Sequence, residues 1–329
     1  MSSEGGTRAV IAALLANLGI AVTKFVAFFL TGFSSMLAEA IHSVADSGNQ
    51  ILLLIGGKRS RQEATPTHPF GFGRERYVYS FVVSIVLFTL GGCFALYEAW
   101  HKFRETRGDA DYDPFESQWW WVPVVVLVVA IGLEGFSFRT AVRESNKVRG
   151  KRSWLRFVRS SKAPELPVIL LEDFGALIGL TLALSGVGLM LITGNPIFDV
   201  LGSGSIGVLL VLIAAFLAIE MNSLLVGESA TTAHQKAILD ALAAPAGVER
   251  VIHAKTLHLG PEELLVAAKL AVAPTDRARD VAAAIDEAER RARDAVPDLT
   301  LVMYLEPDVD HGDVQVPADR PEPPAPGGH

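Results

Sequence analysis

Hydrophobic side chains in the first 220 residues of this 329-residue chain occur in long, nearly uninterrupted runs. Each run is about 20 residues or longer, which is the length that an α-helix needs to cross a hydrocarbon core of roughly 30 Å. The first run contains Lys24 and lacks the short apolar core of a cleavable signal peptide, so it too is interpreted as a span. The pattern predicts six transmembrane helices, at about Ala9–Phe33, Met36–Gly57, Tyr77–Trp100, Gln118–Phe138, Leu166–Thr193 and Pro196–Ile219.

The hydrophobic pattern changes after Glu220, where short amphipathic segments follow in the order α-β-β-α-β. This order predicts a small two-layer α+β domain at residues 225–306, after a transmembrane domain at residues 1–224. Residues 307–329 contain six prolines and predict a disordered Pro-rich tail. The helices and strands of the small domain are expected at Thr231–Leu242, Val248–Leu259, Leu264–Val272, Asp276–Ala295 and Leu299–Leu305.

Composition and charge agree with two regions in different solvents. Half of the residues are hydrophobic, and the mean hydropathy of +0.35 excludes an intrinsically disordered chain. The formal net charge of −7 gives no basic excess for binding nucleic acid. Residues 1–227 hold 19 Lys and Arg against 18 Asp and Glu, whereas residues 228–329 hold 10 against 18. The single cysteine, Cys93, excludes a disulfide framework and a cysteine-based zinc site.

Lys and Arg are unevenly distributed among the loops. Fourteen lie in the Lys58–Arg76 loop and the Arg139–Lys162 connection, whereas the Lys102–Glu116 loop has three and is acidic overall. Because cytoplasmic loops are enriched in Lys and Arg, both termini are expected in the cytoplasm. The chain is therefore predicted to be a multi-pass protein of the plasma (inner) membrane, in contact with lipid.

The second predicted span contains ionisable side chains at helical spacing. His42 and Asp46 are four residues apart, so they project from one helix face, and Glu39 lies on the same face. Placing ionisable groups inside a membrane costs free energy, so such groups are functional candidates. An imidazole and a carboxylate together supply half of the ligands of a site for Zn²⁺, Fe²⁺ or Mn²⁺. The alternative is a buried hydrogen bond between His42 and Asp46 that only joins helices.

The fifth predicted span adds two adjacent carboxylates, Glu172 and Asp173. Neighbouring residues on a helix diverge by about 100°, so only one of them can point ideally at a shared ion. The other is expected to carry protons or to contact a ligand or a neighbouring helix. Ionisable groups on two helices favour a metal site over simple helix joining.

These features together resemble the cation diffusion facilitator family. The resemblance rests on the six spans, on His42 and Asp46 in the second span, on the segment HPFGFGRERY at residues 68–77, and on the carboxylates of the fifth span. It covers the chain from about Arg8 to Glu306. It implies a homodimeric antiporter that moves Zn²⁺ or a related ion out of the cytoplasm in exchange for protons. It also implies a ferredoxin-like C-terminal domain.

The sequence departs from the family pattern at three places. If Asp173 is the aspartate of a second histidine–aspartate motif, Ile169 occupies the histidine position and cannot bind metal, and Glu172 is a candidate substitute. The Glu-Asp pair resembles a divergent zinc-transporter branch. Phe72 stands where a second loop histidine is common, and Tyr304 where many members have a histidine.

Several residues are weaker site candidates. His68 matches one of the two histidines of a loop metal site that the family often has. Asp199 could line an exit path. A cytoplasmic sensor site built from His253, His258 and Glu262 is the alternative to three ordinary surface residues on strands. Glu134 lies near the end of the fourth span, where we expect it to meet headgroups or water.

The sequence thus predicts a secondary transporter that exports Zn²⁺, or alternatively Fe²⁺, Mn²⁺ or Co²⁺, against an inward flow of protons. His42, Asp46 and Asp173 are the expected ligands, Glu172 is a fourth ligand or proton acceptor, and Glu39 supports the site or carries protons. The metal is substrate, and no prosthetic group is expected. The alternative is a non-transporting membrane scaffold or receptor. An enzyme is not expected, because the chain has no HExxH motif, and no phosphate loop indicates use of ATP.

Overall fold

The computed structural model describes residues 3–106 and 118–310, with the side chains described from Asn17 onward except that of Ser34. The chain divides into two compact units, Met1–Val226 and Gly227–His329. Most of the acidic Lys102–Glu116 loop and residues 311–329 of the expected Pro-rich tail lie outside the described residues.

The first unit is helical throughout its described length apart from turns and loops. Within the described residues, four helical stretches are long and apolar enough to cross a membrane, so this unit is a membrane-type helical domain. They are Glu75–Thr106, Val122–Arg149, Glu165–Thr193 and Ile197–Val226. The helices are α1 Ser3–Thr31, α2 Ser34–Arg59, α3 Glu75–Val86, α4 Phe94–Thr106, α5 Val122–Arg149, α6 Trp154–Ser160, α7 Glu165–Thr193 and α8 Ile197–Val226.

The first two of the six expected spans correspond to α1 and α2. The described apolar part of α1 is Asn17–Thr31, which is shorter than a full span. The second helix carries Glu39, His42 and Asp46, which lower its apolar character. A count of six spans therefore stays a prediction, whereas four strongly apolar helices are observed.

Close contacts between glycines and neighbouring helices hold the long helices together. A Cβ atom on Gly186 of α7 would lie 2.7 Å from the backbone oxygen of Phe198 and 3.2 Å from Cα of Gly202, both on α8. A Cβ atom on Gly207 of α8 would lie 2.7 Å from Cγ of Leu96 on α4. Small residues at helix crossings let backbones approach, and these glycines have that packing role here.

The third apolar stretch is not a uniform α-helix. Between α3 and α4, residues Leu87–Cys93 form a π-helical segment that contains Gly91 and Gly92. Such segments interrupt α-helices and often occur at functional sites. A Cβ atom on Gly91 would lie 3.8 Å from Nδ1 of His42, so this segment passes beside the histidine of α2.

The second unit has the element order that the sequence predicts. Within the described residues, β1 pairs antiparallel with β2, and β2 pairs parallel with β3, in the sheet order β1-β2-β3. One face of the sheet packs Leu264, Val266 and Leu270 against Ile238 and Ala288 of the helices. The elements are α9 Thr232–Leu242, β1 Arg250–Gly260, β2 Glu263–Ala271, α10 Ala278–Ala295 and β3 Thr300–Asp308.

The last strand is longer than the sequence predicts. It continues to Asp308, two residues past the expected domain end at residue 306, because Pro307 and Asp308 still pair with Leu270 and Ala271 of β2. Nζ of Lys269 donates a hydrogen bond of 2.8 Å to Oδ2 of Asp308 in this extension. This bond, together with the contact to Glu306, raises the pKa of Lys269.

Candidate functional site

The second helix places His42 and Asp46 one turn apart in the interior of the helical domain. Nε2 of His42 lies 3.5 Å from Oδ2 of Asp46, and both residues are buried. Within the described part of the chain, neither ring nitrogen of His42 nor Oδ1 of Asp46 has a hydrogen-bond partner. Buried polar atoms without a partner cost free energy, so these atoms are available to a ligand.

Glu172 of α7 faces this pair from the neighbouring helix. It is buried, its side chain interacts with that of Asp46, and Nδ2 of Asn49 donates a hydrogen bond of 2.8 Å to its Oε1. Asn49 follows Asp46 by three residues and therefore shares its helix face. Asn49 is not among the ligands predicted from the sequence, although its spacing of three residues from Asp46 is a signal that identifies it.

Asp173 points in a different direction, as expected for a residue next to Glu172. It is half-buried, and Oγ of Ser137 on α5 donates a hydrogen bond of 3.0 Å to its Oδ2. The structure thus brings Glu172 to His42 and Asp46, and brings Asp173 to α5. The periodicity of a helix does not fix its rotation against its neighbours, and the register of the family resemblance favours Asp173 as the ligand.

Glu134 lies in the middle of α5 and not near its end, because α5 continues to Arg149, past the expected span end at Phe138. It is buried, with 9% of its surface exposed, rather than in contact with headgroups or water. Its carboxyl group lies near those of Asp46, Glu172 and Asp173. Four carboxyl groups are therefore close together in this part of the helical domain.

A buried ion pair lies one turn before His42. Nζ of Lys24 on α1 donates hydrogen bonds to Oε2 of Glu39, 2.9 Å away, and to Oγ of Ser43, 2.8 Å away. Both partners of the ion pair are buried. The other oxygen of Glu39 reaches α7, where a Cβ atom on Gly179 would lie 3.2 Å from it. Glu39 thus has its charge balanced within the protein.

The described residues do not form a closed metal site. Among them, no group of three or more His, Cys, Asp or Glu side chains has an arrangement that could hold a metal ion. The arrangement consists of a His–Asp pair on α2 with Glu172 beside it on α7. Closing it around an ion requires side-chain adjustment.

The weaker candidates in the helical unit have other surroundings. His68 is exposed in the loop before α3, where its ring lies 4.6 Å from that of Phe72 and its Nδ1 lies 3.2 Å from Oγ1 of Thr67. Asp199 is buried near the start of α8 and accepts hydrogen bonds from the backbone N–H and the hydroxyl of Ser35. Asp199 therefore joins α8 to the first turn of α2.

The sensor-site candidates of the second unit do not converge. His253 is exposed and pairs with Lys269, whereas His258 is buried and pairs with Leu264, so the two histidines lie on opposite faces of the sheet. Nδ1 of His258 lies 3.2 Å from the backbone oxygen of Gly260. With Glu262, these histidines are not a metal-holding group among the described residues.

The fold and the site define a class of protein. Ionisable side chains that face one another between membrane-type helices mark pathways for ions. Here an imidazole and several carboxylates meet in the interior of a strongly apolar helical domain, which is the arrangement of a membrane transporter for cations. Residues 10–226 match a family model that is described as "Cation efflux transmembrane domain". The chain therefore belongs to the cation diffusion facilitator family, and the resemblance found in the sequence is confirmed.

Named relatives agree with this assignment. The human (Homo sapiens) proton-coupled zinc antiporter SLC30A9, mitochondrial, is 33% identical over 259 residues, which are 78% of this chain and 44% of the human protein. Metal tolerance protein C4 of Arabidopsis thaliana is 26% identical over 263 residues, which are 79% of this chain and 56% of the plant protein. The chain thus spans about half the length of these curated relatives.

Proposed function

We propose that this protein is a secondary transporter that moves Zn²⁺ out of the cytoplasm in exchange for protons. The observation that carries the proposal is the buried pair His42–Asp46 on α2 with Glu172 of α7 beside it. The name of the human relative, a proton-coupled zinc antiporter, supports both the ion and the coupling.

The contacts of the site favour a specific division of roles. His42, Asp46 and Glu172 bind the ion, and Asn49 orients Glu172 through its 2.8 Å hydrogen bond. Asp173 lies next to this set and carries protons, with Ser137 as its hydrogen-bond partner. Glu39, paired with Lys24, supports α2. Nitrogen and carboxylate oxygen ligands suit Zn²⁺ and also Fe²⁺, Mn²⁺ and Co²⁺.

Proton coupling follows from the chemistry of these ligands. An imidazole binds metal only when it is neutral, and carboxylates bind best when they are ionised, so loading the ion releases protons. Protonation from the opposite side of the membrane then favours release of the ion. This cycle uses the proton gradient and needs no ATP.

The remaining expectations belong to the same proposal. We include α1 and α2 as the first two of six spans, a ferredoxin-like second unit, cytoplasmic termini and a homodimer. The expected plasma-membrane location is not supported by the comparisons, since the human relative is named as mitochondrial.

Flux measurements with the purified full chain in sealed vesicles test the proposal. We expect uptake of Zn²⁺ that is driven by an imposed pH gradient and accompanied by proton movement in the opposite direction. Parallel assays with Mn²⁺, Fe²⁺ and Co²⁺ rank the ions by their transport rates. Zinc flux that does not depend on the pH gradient would exclude proton antiport. Absence of flux with every ion would favour a scaffold or receptor.

A further inference from the structure

The connection between α5 and α7 makes a compact basic turn, here called the elbow, at residues 147–162. Its chain turns at Gly150, whose φ of +59° is a conformation that favours glycine, and it contains the short helix α6. The helices on either side are both long and apolar enough to span a membrane. The elbow therefore joins the end of one such helix to the start of the other, where we expect the lipid headgroups.

An apolar groove of about 520 Å³ lies beside the elbow. This volume is in the range of sites that bind small molecules, roughly 300–1,000 Å³. All the side chains that line it are apolar, and they come from α5, α6, α7 and α8. They include Phe138, Val142, Trp154, Leu155, Leu170 and Phe174.

The residues of α6 have the character of a segment at a membrane interface. Trp154 and Leu155 are exposed although both line the groove. Tryptophan is enriched where apolar chains meet headgroups, and helices at this level combine such residues with Lys and Arg. The elbow region thus presents an apolar surface and a basic one side by side.

Some cations of the elbow are used to fix its shape. The guanidinium of Arg149 lies 4.2 Å from the centre of the Trp154 ring. Arg152 donates hydrogen bonds to the backbone oxygen of Val148, at 2.8 Å, and to Oγ of Ser160, at 3.1 Å. These contacts hold α6 against the end of α5.

Two other cations are not used in this way. Lys151 and Arg156 are exposed, and the described part of the chain offers their side chains no hydrogen bond or ion pair. Arg156 follows Leu155 in α6 and projects about 100° further round the helix, on its exposed side. The positive charges of Lys151 and Arg156 therefore face the solvent or the headgroups, on the same elbow whose helix α6 supplies Trp154 and Leu155 to the groove.

We propose that the elbow and the groove form a binding site for an anionic phospholipid. An acyl chain occupies the groove, and the phosphate of the headgroup binds Lys151 and Arg156. Basic pockets at the ends of membrane helices bind anionic headgroups in this way. Leu170 and Phe174 of the groove flank Glu172 on α7, so the bound lipid also supports the helix that carries the proposed metal ligand.

Lipid binding can be measured without metal and without transport, so this inference stands apart from the proposed function. The full chain in detergent is titrated with phosphatidylglycerol or phosphatidylcholine, and bound lipid is counted by native mass spectrometry. We expect clear preference for phosphatidylglycerol. The double variant Lys151→Gln/Arg156→Gln should weaken its binding by about five- to thirtyfold, since each basic residue near an anionic surface contributes roughly a fivefold factor.

A matched control removes two cations from the other basic loop. Lys58→Gln/Arg61→Gln should leave phosphatidylglycerol binding unchanged. In the groove, Val142→Trp should block the acyl chain, whereas Val128→Trp on the exposed part of α5 should not. Inorganic phosphate should not displace the lipid.

Three outcomes would overturn the proposal. They are equal binding of the two lipids, equal effects of the two double variants, and displacement by inorganic phosphate alone. A change of oligomeric state in Val142→Trp with unchanged lipid binding would assign the groove to a second copy of the chain.

Discussion

Glu172 and Asp173 are adjacent on α7, but their carboxyl groups have different neighbours. Glu172 contacts Asp46 and Asn49 of α2, whereas Asp173 accepts a hydrogen bond from Ser137 of α5. The first of these positions lies beside the Asp46 side chain of the His42–Asp46 pair, whereas the second faces α5. The rotation of one helix thus separates a proposed ligand from a proposed proton carrier.

This difference predicts opposite effects of two conservative changes. Glu172→Gln should abolish zinc binding, because a neutral amide replaces an ionised ligand. Asp173→Asn should retain binding and lower the transport rate or change its pH dependence. Zinc titration calorimetry in detergent and vesicle flux measure the two properties. Loss of binding in Asp173→Asn alone would mean that Asp173 is the ligand, as the sequence first suggested.

The buried pair of Lys24 and Glu39 gives a second prediction at this scale. Lys24→Met leaves a carboxylate unpaired inside the helical domain, and breaking a buried ion pair costs about 3–5 kcal/mol. The thermal unfolding temperature should therefore fall. Lys24→Met/Glu39→Gln should recover most of the loss, because no charge is left alone.

The control for this pair is Lys147→Met, which breaks an exposed contact with Glu144. Exposed ion pairs contribute little, so its unfolding temperature should stay close to that of the unchanged protein. Equal losses in the single and the double variant would show that Lys24 acts through packing and not through charge.

At the scale of the elements, the sequence predicts some features and not others. Runs of apolar residues located α5, α7 and α8, and alternation located the strands of the second unit. The position of Glu134 near the end of the expected span predicts contact with headgroups or water, whereas α5 continues to Arg149 and buries this side chain. The π-helical segment at Leu87–Cys93 was also not predicted, since it depends on tertiary packing and leaves no periodicity of its own.

Packing of α7 against α8 predicts a contrast between two glycines of one helix. Gly186→Ala should destabilise the protein by about 1–3 kcal/mol, because the added methyl group meets backbone atoms of α8. Gly188 has no heavy atom within 4 Å of the added Cβ position. Gly188→Ala should therefore leave the unfolding temperature unchanged or slightly raised, since alanine favours the helix.

Thermal unfolding of both variants in the same detergent checks this contrast. A loss of stability in Gly188→Ala as large as that in Gly186→Ala would contradict the close approach of α7 and α8.

At the scale of the whole molecule, the distribution of charge predicts the orientation in the membrane. A reporter fused after Gly328 should be cytoplasmic, and a tag at residues 109–113 should be labelled from the opposite side. The reason is the ratio of fourteen basic residues to three between the two sets of loops. Labelling of intact cells or organelles checks it, and exposure of both positions on one side would contradict it.

The buried His42–Asp46 pair is the proposed binding site of the transported ion. The chain contains a matched pair for comparison, since Nδ1 of the exposed His101 also lies 3.5 Å from a carboxylate oxygen four residues on, in Glu105. Substituting each histidine by alanine removes the same chemistry from a buried and an exposed helix face.

The most direct measurement is therefore zinc flux into vesicles, driven by a pH gradient, for the unchanged chain, His42→Ala and His101→Ala. The proposed function predicts flux at background for His42→Ala and full flux for His101→Ala. Chromatography in detergent should show that all three proteins are folded. Full zinc flux in folded His42→Ala would contradict this proposed site.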